Sequence, residues 1–181
     1  MHFKTLVVVA CFVAASVAQT FSMVDDKMNK KVAPAITKFN TTIYDFPMLG
    51  GGTVKQAMAM HYSAMTVTDT ICDATYTMNN VTSKFSDDEG MKIIHDIEAM
   101  EPEFIGSMKG IAARLPALQA LPGGDVPSLI KNDLKEMKNC ADAFIMSFDA
   151  HSSPKMLEEG KAIKKLSDAA FSQVMSTYEI E

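Results

Sequence analysis

The stretch that decides the fold is Met100–Pro154, which reads MEPEFIGSMKGIAARLPALQALPGGDVPSLIKNDLKEMKNCADAFIMSFDAHSSP. Two apolar patterns with helical spacing meet here at a break, Leu121–Asp125. The pattern before the break consists of Ile97, Met100, Phe104, Met108, Ile111 and Leu115. The pattern after it consists of Leu129, Ile130, Leu134, Met137, Ala141, Phe144 and Phe148. Each pattern places its apolar side chains on one helix face, so the sequence predicts two helices that further helices must cover.

A first helix is predicted over Ser22–Phe46, where apolar residues again recur at steps of three and four. Pro34 lies inside that pattern. Because proline lacks a backbone donor and clashes with the preceding turn, we expect it to kink or split the helix. Gly50–Gly52 then breaks the chain. Thr53, with Gln56 three residues later, has capping-box spacing and predicts the start of a second helix.

Three further helix starts complete the pattern. Ser86 and Glu89 repeat the capping-box spacing and begin a third helix, which is expected to be interrupted near Pro102. Asp125 begins a fourth helix, and Ser153, followed by proline, begins a fifth. Alternating strand patterns are absent from the sequence. The prediction is therefore all-α: a single bundle of about five helices with short loops, two of them interrupted by proline.

Residues 1–18 are predicted to be a secretory signal peptide. Lys4 provides a positive start, Leu6–Val13 an apolar centre and Ser16–Ala18 a small-residue cleavage site. The alternative, an uncleaved membrane anchor, needs a longer apolar run, and no later stretch approaches spanning length without charges. We therefore expect one helical-bundle domain over 19–181, with no transmembrane segment, secreted to the cell wall or the medium.

Charge and cysteine content limit the partners and the compartment. Without the signal peptide the chain has 16 basic and 22 acidic side chains, a formal net charge of −6. Nucleic acid is therefore not expected as a partner, because its phosphates require a basic face. Cys11 leaves with the signal peptide, so Cys72 and Cys140 remain in an oxidising compartment. They predict a disulfide that closes a long loop, and two buried free thiols are the alternative.

The sequence contains no recognisable catalytic set. His95 and Glu98 lie three residues apart and share a helical face, but a di-iron bundle needs repeated Glu-x-x-His units that the sequence does not have. The motifs His-Glu-x-x-His and Gly-x-Ser-x-Gly are absent as well. We interpret His95 and Glu98 as solvated surface residues, and we expect no enzyme activity, no metal and no cofactor.

Two sequons and a high methionine content point to the secretory pathway and to an adaptable interior. Asn40 and Asn80 each begin an N-glycosylation triplet, and both are expected to carry glycans. The chain has 15 methionines, of which 14 remain after removal of the signal peptide. Methionine is flexible and polarizable, so it lines deformable cavities for acyl chains and also fills ordinary cores. Composition alone favours the ordinary core.

The span Ile97–Tyr178 resembles the fungal hydrophobic surface binding protein A family, which includes cell-wall galactomannoproteins. The similarity lies in a helix that ends before a Pro/Gly segment, the stretch VPSLIKNDLKEMKNCADAFIMSF at 126–148, a short Ser/Pro break, and a last helix rich in small residues. The resemblance implies a secreted, non-enzymatic helical protein, at the cell wall or outside the cell. Such a protein would adsorb to hydrophobic surfaces or hold fatty acids inside the bundle.

The apolar stripes predict which residues would line a ligand cavity. The expected lining is Met65, Ile97, Met108, Ile111, Leu115, Leu134, Met137 and Phe144. The expected partner is a long-chain fatty acid, another apolar ligand or a hydrophobic surface, with glycans contacting cell-wall polysaccharide. A structural cell-wall mannoprotein with an inert core and a helical inhibitor of a secreted hydrolase remain alternatives, because a filled cavity and a packed core need the same stripes.

Overall fold

The computed structural model describes residues 19–122 and 125–179, so the predicted signal peptide lies outside the described residues. Within the described ranges the fold is all-α, as predicted, and the one extended feature is an isolated bridge between Gln19 and Val81. The helices are α1 (Phe21–Lys27), α2 (Ala33–Tyr44), α3 (Val54–Asn79), α4 (Asp87–Gln119), α5 (Val126–His151) and α6 (Pro154–Thr177). A π-helical turn, Met28–Val32, joins α1 to α2.

The interruption predicted at Pro34 is present. The π-helical turn ends directly before α2, and the backbone N–H of Ala33 donates to the carbonyl of Met28, five residues back. Pro34 itself lies in the first turn of α2. Because a helical turn precedes Pro34 directly, the proline lacks an N–H that would otherwise donate to a carbonyl of that turn. The wider π turn thus lets the chain pass the proline and continue as one interrupted helix.

The interruption expected at Pro102 does not occur. Helix α4 runs unbroken through both Pro102 and Pro116. Pro102 is exposed, and so is Glu98, whose carbonyl loses its helical donor and can bond to water instead. A proline inside a helix costs about 3 kcal/mol. Burial of the apolar face of α4 offsets that cost, so packing overrides the local preference.

Both predicted capping boxes are present. The backbone N–H of Thr53 donates to Gln56 Oε1 at 3.0 Å, and the hydroxyl of Thr53 accepts from the Gln56 N–H. Ser86 and Glu89 make the same reciprocal pair at 2.8 and 3.3 Å. Ser153 stands at the N-cap of α6 as predicted, but its hydroxyl donates to a carboxylate of α4 and caps no amide.

Helices α2 to α6 close into a ring. Helix α2 packs between α3 and α4, α3 packs against α5, α4 packs against α6, and α5 packs against α6. Packed helices lie about 8–10 Å apart, so the axis of a five-membered ring is about 8 Å from each helix, farther than in a four-helix bundle. Side chains must reach inward to fill that axis. Methionines contribute strongly to the core, and the fully buried ones are Met60, Met78, Met108, Met137 and Met156.

The predicted disulfide is confirmed. Cys72 of α3 and Cys140 of α5 are bonded, with their Cα atoms 5.2 Å apart and a sequence separation of 68. On the chain-entropy account, closing a loop of that length stabilises the fold by about 4 kcal/mol. The bond fixes α3 against α5 on one side of the ring.

Candidate functional site

A cavity of about 110 Å³ lies on the axis of the ring. The π-helical turn and each of the helices α2 to α6 contribute to its wall. The lining residues are Met28, Val32, Ile36, Ile71, Ile97, Met100, Glu101, Phe104, Ile105, Ala141, Phe144, Ile145, Ile163 and Ser167. Twelve of these fourteen are apolar, so the cavity suits an uncharged, flexible, apolar occupant.

The cavity lies where two helices depart from regular hydrogen bonding. Met28 and Val32 belong to the π-helical turn, and single π turns occur frequently at functional sites. On the neighbouring helix, Met100 and Phe104 flank Pro102, where α4 lacks one backbone hydrogen bond. Both walls are therefore held by fewer backbone hydrogen bonds than a regular helix provides, and can yield more easily to a ligand.

The disulfide borders the opposite part of the wall. Ile71, beside Cys72 in sequence, and Ala141, beside Cys140, both line the cavity. The covalent bond holds α3 and α5 together at this level. The cavity can therefore enlarge more easily by movement of the π-helical turn, α2, α4 or α6 than by separation of α3 from α5.

The cavity is not sealed from water, because ten of its fourteen lining residues are partly exposed. Glu101 of α4 and Ser167 of α6 are the two polar ones among them. None of the fourteen lining residues is lysine or arginine, so a ligand carboxylate would find no cationic partner inside. Because a buried charge without a partner is costly, a charged head group would have to stay outside the apolar wall, in contact with water.

A second, smaller void extends the apolar volume. It measures about 10 Å³ and shares Ile97, Phe144, Ile145 and Ile163 with the main cavity. Its other walls are Phe148 and Gly160. The two voids follow α5 and α6 in one direction, which indicates the path that the tail of an elongated ligand would take.

Ion pairs join α5 and α6 on the outside of this path. Lys164 of α6 lies 2.7 Å from Asp168 and 3.5 Å from Asp142 of α5, and Lys138 lies 2.5 Å from Asp142. The hydrogen bond that Lys164 donates to Asp168 is the main cause that raises the pKa of the Lys164 ammonium group. These side chains are substantially exposed, and exposed pairs contribute little to stability. They do not prevent the two helices from separating.

The structure brings together two of the eight residues expected to line a cavity. Ile97 and Phe144 lie in the wall of the cavity. Four others are buried in the core but away from the cavity: Met108, Ile111, Leu134 and Met137. Leu115 is partly buried against the core, and Met65 is 42% exposed on the outside of α3. Residues of the π-helical turn and of α6 also form part of the wall. The apolar stripes of α4 and α5, from which most of the expected lining was chosen, could not predict them.

Arg114 is a buried charge that the apolar stripes did not reveal. Its guanidinium group donates to the carbonyls of Phe46 at 2.7 Å and Gly110 at 3.1 Å, and it stacks over the ring of Tyr44. Burial lowers the pKa of Arg114. The side chain satisfies carbonyls just beyond α2 and fixes the start of the loop that follows.

His61 and Asp133 form a second buried polar contact, between α3 and α5. The Nδ1 atom of His61 lies 2.8 Å from Asp133 Oδ2, and the Asp133 side chain is 7% exposed. Burial raises the pKa of the Asp133 carboxyl even though the contact with His61 opposes that rise. Neither residue lines the cavity. We interpret the pair as a second link between α3 and α5, about 16 Å along α3 from Cys72.

His95 and Glu98 lie on the surface of α4. Their side chains contact each other at 3.1 Å, and both are more than half exposed. In the described ranges, histidine, cysteine, aspartate and glutamate side chains form no group of three that could hold a metal ion. No helix within 19–122 or 125–179 has the length and apolar character needed to cross a membrane.

The sequence model of the hydrophobic surface binding protein A family matches residues 24–147. The chain belongs to this family. The matched range contains twelve of the fourteen cavity residues, and the exceptions, Ile163 and Ser167, lie on α6 beyond it. No curated protein sequence matches the chain. The family membership therefore rests on the match to the family as a whole.

Solved structures with the same fold were determined with fatty acids bound. AfMP4p in complex with palmitic acid aligns with a TM-score of 0.78 and 18% identity, covering 88% of this chain and 99% of that one. Ligand binding domain 1 of the Penicillium marneffei MP1 protein with arachidonic acids gives 0.75 and 12%, over 88% and 99%. Ligand binding domain 2 of the same protein, complexed with multiple arachidonic acids, gives 0.74 and 12%, over 87% and 95%. These similarities establish the fold that this hydrophobic surface binding protein A family member adopts.

Proposed function

We propose that this chain is a non-enzymatic carrier that binds one long-chain fatty acid, or a similar apolar ligand, in the central cavity. The observation that carries the proposal is an almost wholly apolar void on the axis of a five-helix ring. Family membership and the fatty acids bound to proteins of the same fold support it. The acyl chain would lie along Phe144 and Ile163, with its head group in water near the Ser167 hydroxyl, which can donate a hydrogen bond to it, and away from the acidic side chain of Glu101.

The size of the cavity requires the bundle to adjust when a ligand enters. A cavity of about 150 Å³ holds benzene, so about 110 Å³ accommodates only part of a long acyl chain. The wall formed by α3 and α5 is covalently pinned at Cys72 and Cys140. The chain would therefore enter by displacing the π-helical turn and the part of α4 around Pro102, where methionine side chains can change rotamer at low cost.

The proposal is tested with delipidated protein and palmitate or arachidonate. A ligand at 100 times its Kd stabilises the folded state by about 2.7 kcal/mol, which raises the Tm of a domain of this size by about 5–10 °C. Differential scanning calorimetry at increasing ligand concentration measures that shift. An unchanged Tm with several long-chain fatty acids, at concentrations below micelle formation, refutes an enclosed site.

We further propose that the chain is processed and secreted, with residues 1–18 removed and residues 19–181 acting as one domain at the cell wall or outside the cell.

The structure favours Asn80 over Asn40 as glycan acceptor. Asn80 is exposed at the end of α3. Asn40 is partly buried between α2 and α4, where its Oδ1 accepts from the hydroxyl of Ser107 at 3.2 Å. A glycan on Asn80 would be free to contact cell-wall polysaccharide, and peptide mass mapping after deglycosylation tests each site.

A further inference from the structure

Glu101 is an acidic residue in the apolar wall of the central cavity. It lies on α4 four residues after Ile97 and four residues before Ile105, and all three line the cavity. Because residues four apart are rotated by only about 40° around a helix, Glu101 shares the inward-facing side of α4 with these two neighbours. The helical pattern predicts an apolar residue at such a position, so the acidic side chain calls for a role.

Other acidic residues of α4 have partners in the protein. Asp96 accepts a hydrogen bond from the Lys92 ammonium group at 3.0 Å. Glu103 accepts from the hydroxyl of Thr37 at 2.6 Å. Within residues 19–122 and 125–179, no ion pair or side-chain hydrogen bond involves Glu101. Its carboxylate therefore retains the capacity to accept hydrogen bonds from a ligand.

Ser167 of α6 is the second polar residue of the wall. Hydroxyl groups inside a helix often donate to the carbonyl four residues back, as Thr75 does to Ile71 at 2.9 Å. In the part of the chain that the structure describes, the Ser167 hydroxyl makes no such hydrogen bond. It can therefore donate one hydrogen bond to a ligand and accept another.

The lysine one turn before Ser167 is already paired. Lys164 lies 2.7 Å from Asp168 and 3.5 Å from Asp142, on the outside of α5 and α6. A ligand carboxylate at the wall would thus meet the acidic side chain of Glu101, and no lining residue could neutralise it. Because like charges at short distance disfavour each other, the wall disfavours an ionised carboxylate as head group.

An alcohol head group matches the two polar side chains of the wall. Its O–H can donate to the Glu101 carboxylate, and its oxygen can accept from the Ser167 hydroxyl. A hydrogen bond to a carboxylate is stronger than one between neutral groups. A ligand ammonium group could also bind Glu101, but moving a full charge from water to a wall whose other twelve residues are apolar costs far more than moving a hydroxyl.

We propose that the cavity selects uncharged lipids with a hydroxyl head group, such as long-chain alcohols, over ionised fatty acids, and that Glu101 determines this specificity. The selectivity rests on the proposed carrier function and names the preferred ligand class of the same site. A fatty acid still binds, but its carboxylate must stay in water, away from Glu101. The hydroxyl of an alcohol can remain at the wall.

The test compares 1-decanol, decanoate and decyl methyl ether, which share one chain length, by isothermal titration calorimetry near neutral pH. The ether is uncharged and accepts hydrogen bonds but cannot donate one. We expect the parent to bind decanol roughly tenfold more tightly than decanoate and roughly fivefold more tightly than the ether. Glu101→Gln removes the negative charge, so we expect it to bind decanol and decanoate with nearly equal affinity.

Glu98→Gln is the matched control. Glu98 lies on the same helix, is exposed and does not line the cavity, and its substitution changes the net charge by the same amount. We expect its ratio of decanol affinity to decanoate affinity to stay within about twofold of the ratio for the parent, because an exposed charge is screened by solvent.

Four results would overturn the proposal. If the parent binds decanoate at least as tightly as decanol, or if Glu101→Gln keeps the ratio of the parent, the selectivity is wrong and the carrier function stands. If the ether binds as tightly as decanol, the wall does not recognise the hydroxyl. If decylammonium binds more tightly than decanol and salt weakens its binding, charge selects the ligand. If the parent binds none of the probes and its Tm does not shift with palmitate, the carrier function itself fails, and the selectivity fails with it.

Discussion

Replacing Ala141 by leucine should fill the central cavity, stabilise the ligand-free protein and block fatty-acid binding. Ala141 lines the cavity from α5 and is partly buried. Leaving a void of about 110 Å³ costs about 2.6 kcal/mol at ~24 cal/mol per Å³. The three added carbons of leucine bury about 2.4 kcal/mol of apolar transfer free energy. Since overpacking returns part of that gain, we expect a net stabilisation of about 1–2 kcal/mol.

Ala143→Leu is the matched control, because Ala143 lies on the same helix and is exposed. Urea denaturation measures the free energy of unfolding of each variant, and isothermal titration calorimetry with palmitate measures Kd. We expect Ala141→Leu to weaken palmitate binding at least tenfold, and we expect Ala143→Leu to bind as the parent does. If Ala141→Leu is folded, at least as stable as the parent and still binds palmitate with unchanged affinity, the acyl chain lies elsewhere.

Three further changes test the parts of the fold that surround the site. The double variant Cys72→Ser/Cys140→Ser should lower the free energy of unfolding by about 4 kcal/mol, because the disulfide closes a loop between residues 68 positions apart. Urea denaturation under non-reducing conditions measures this loss, and a loss below about 1 kcal/mol contradicts the prediction. Arg114→Met should cost about 3 kcal/mol, because buried carbonyls lose a charged donor; an unchanged midpoint in urea would show that the hydrogen bonds contribute nothing. Asp133→Asn keeps a side chain that can bond to His61 but removes a carboxyl whose pKa burial raises above 3.8. The free energy of unfolding of the parent therefore falls as the pH rises from 3.8 through that raised pKa, so the stability of the variant relative to the parent should increase over this interval. A difference in the free energy of unfolding that stays constant between pH 3.5 and 7 contradicts this prediction.

The sequence alone predicts those features that depend on local spacing. The capping boxes at Thr53 and Ser86 place helix starts correctly, because a hydroxyl and an acceptor three residues later satisfy backbone donors wherever they occur. The disulfide follows from the two cysteines that remain if residues 1–18 are a signal peptide, since such a signal predicts an oxidising compartment. Pro102 shows where local reasoning stops, since the packing of α4 retains the helix against the preference of one residue.

The cavity depends on the ring, which the helical stripes do not specify. A stripe identifies the face of a helix that points inward, so Ile97 and Leu134 look equivalent in the sequence. In the structure Ile97 meets the void and Leu134 is packed against neighbouring side chains. The difference arises because the main void lies at the level of the π-helical turn and Pro102. Arg114 and Asp133 occupy buried positions next to apolar ones, and the only sequence signal of their role is a charge at the edge of a stripe.

The most direct test of the central claim is native mass spectrometry of the delipidated protein with one equivalent of palmitate. The account predicts a one-to-one adduct whose added mass equals that of palmitic acid. The adduct should persist under native conditions, disappear on denaturation and be absent from Ala141→Leu. If the parent shows only the ligand-free mass under these conditions, or if the adduct is equally abundant in Ala141→Leu, the result contradicts an enclosed acyl-chain site on the axis of the bundle.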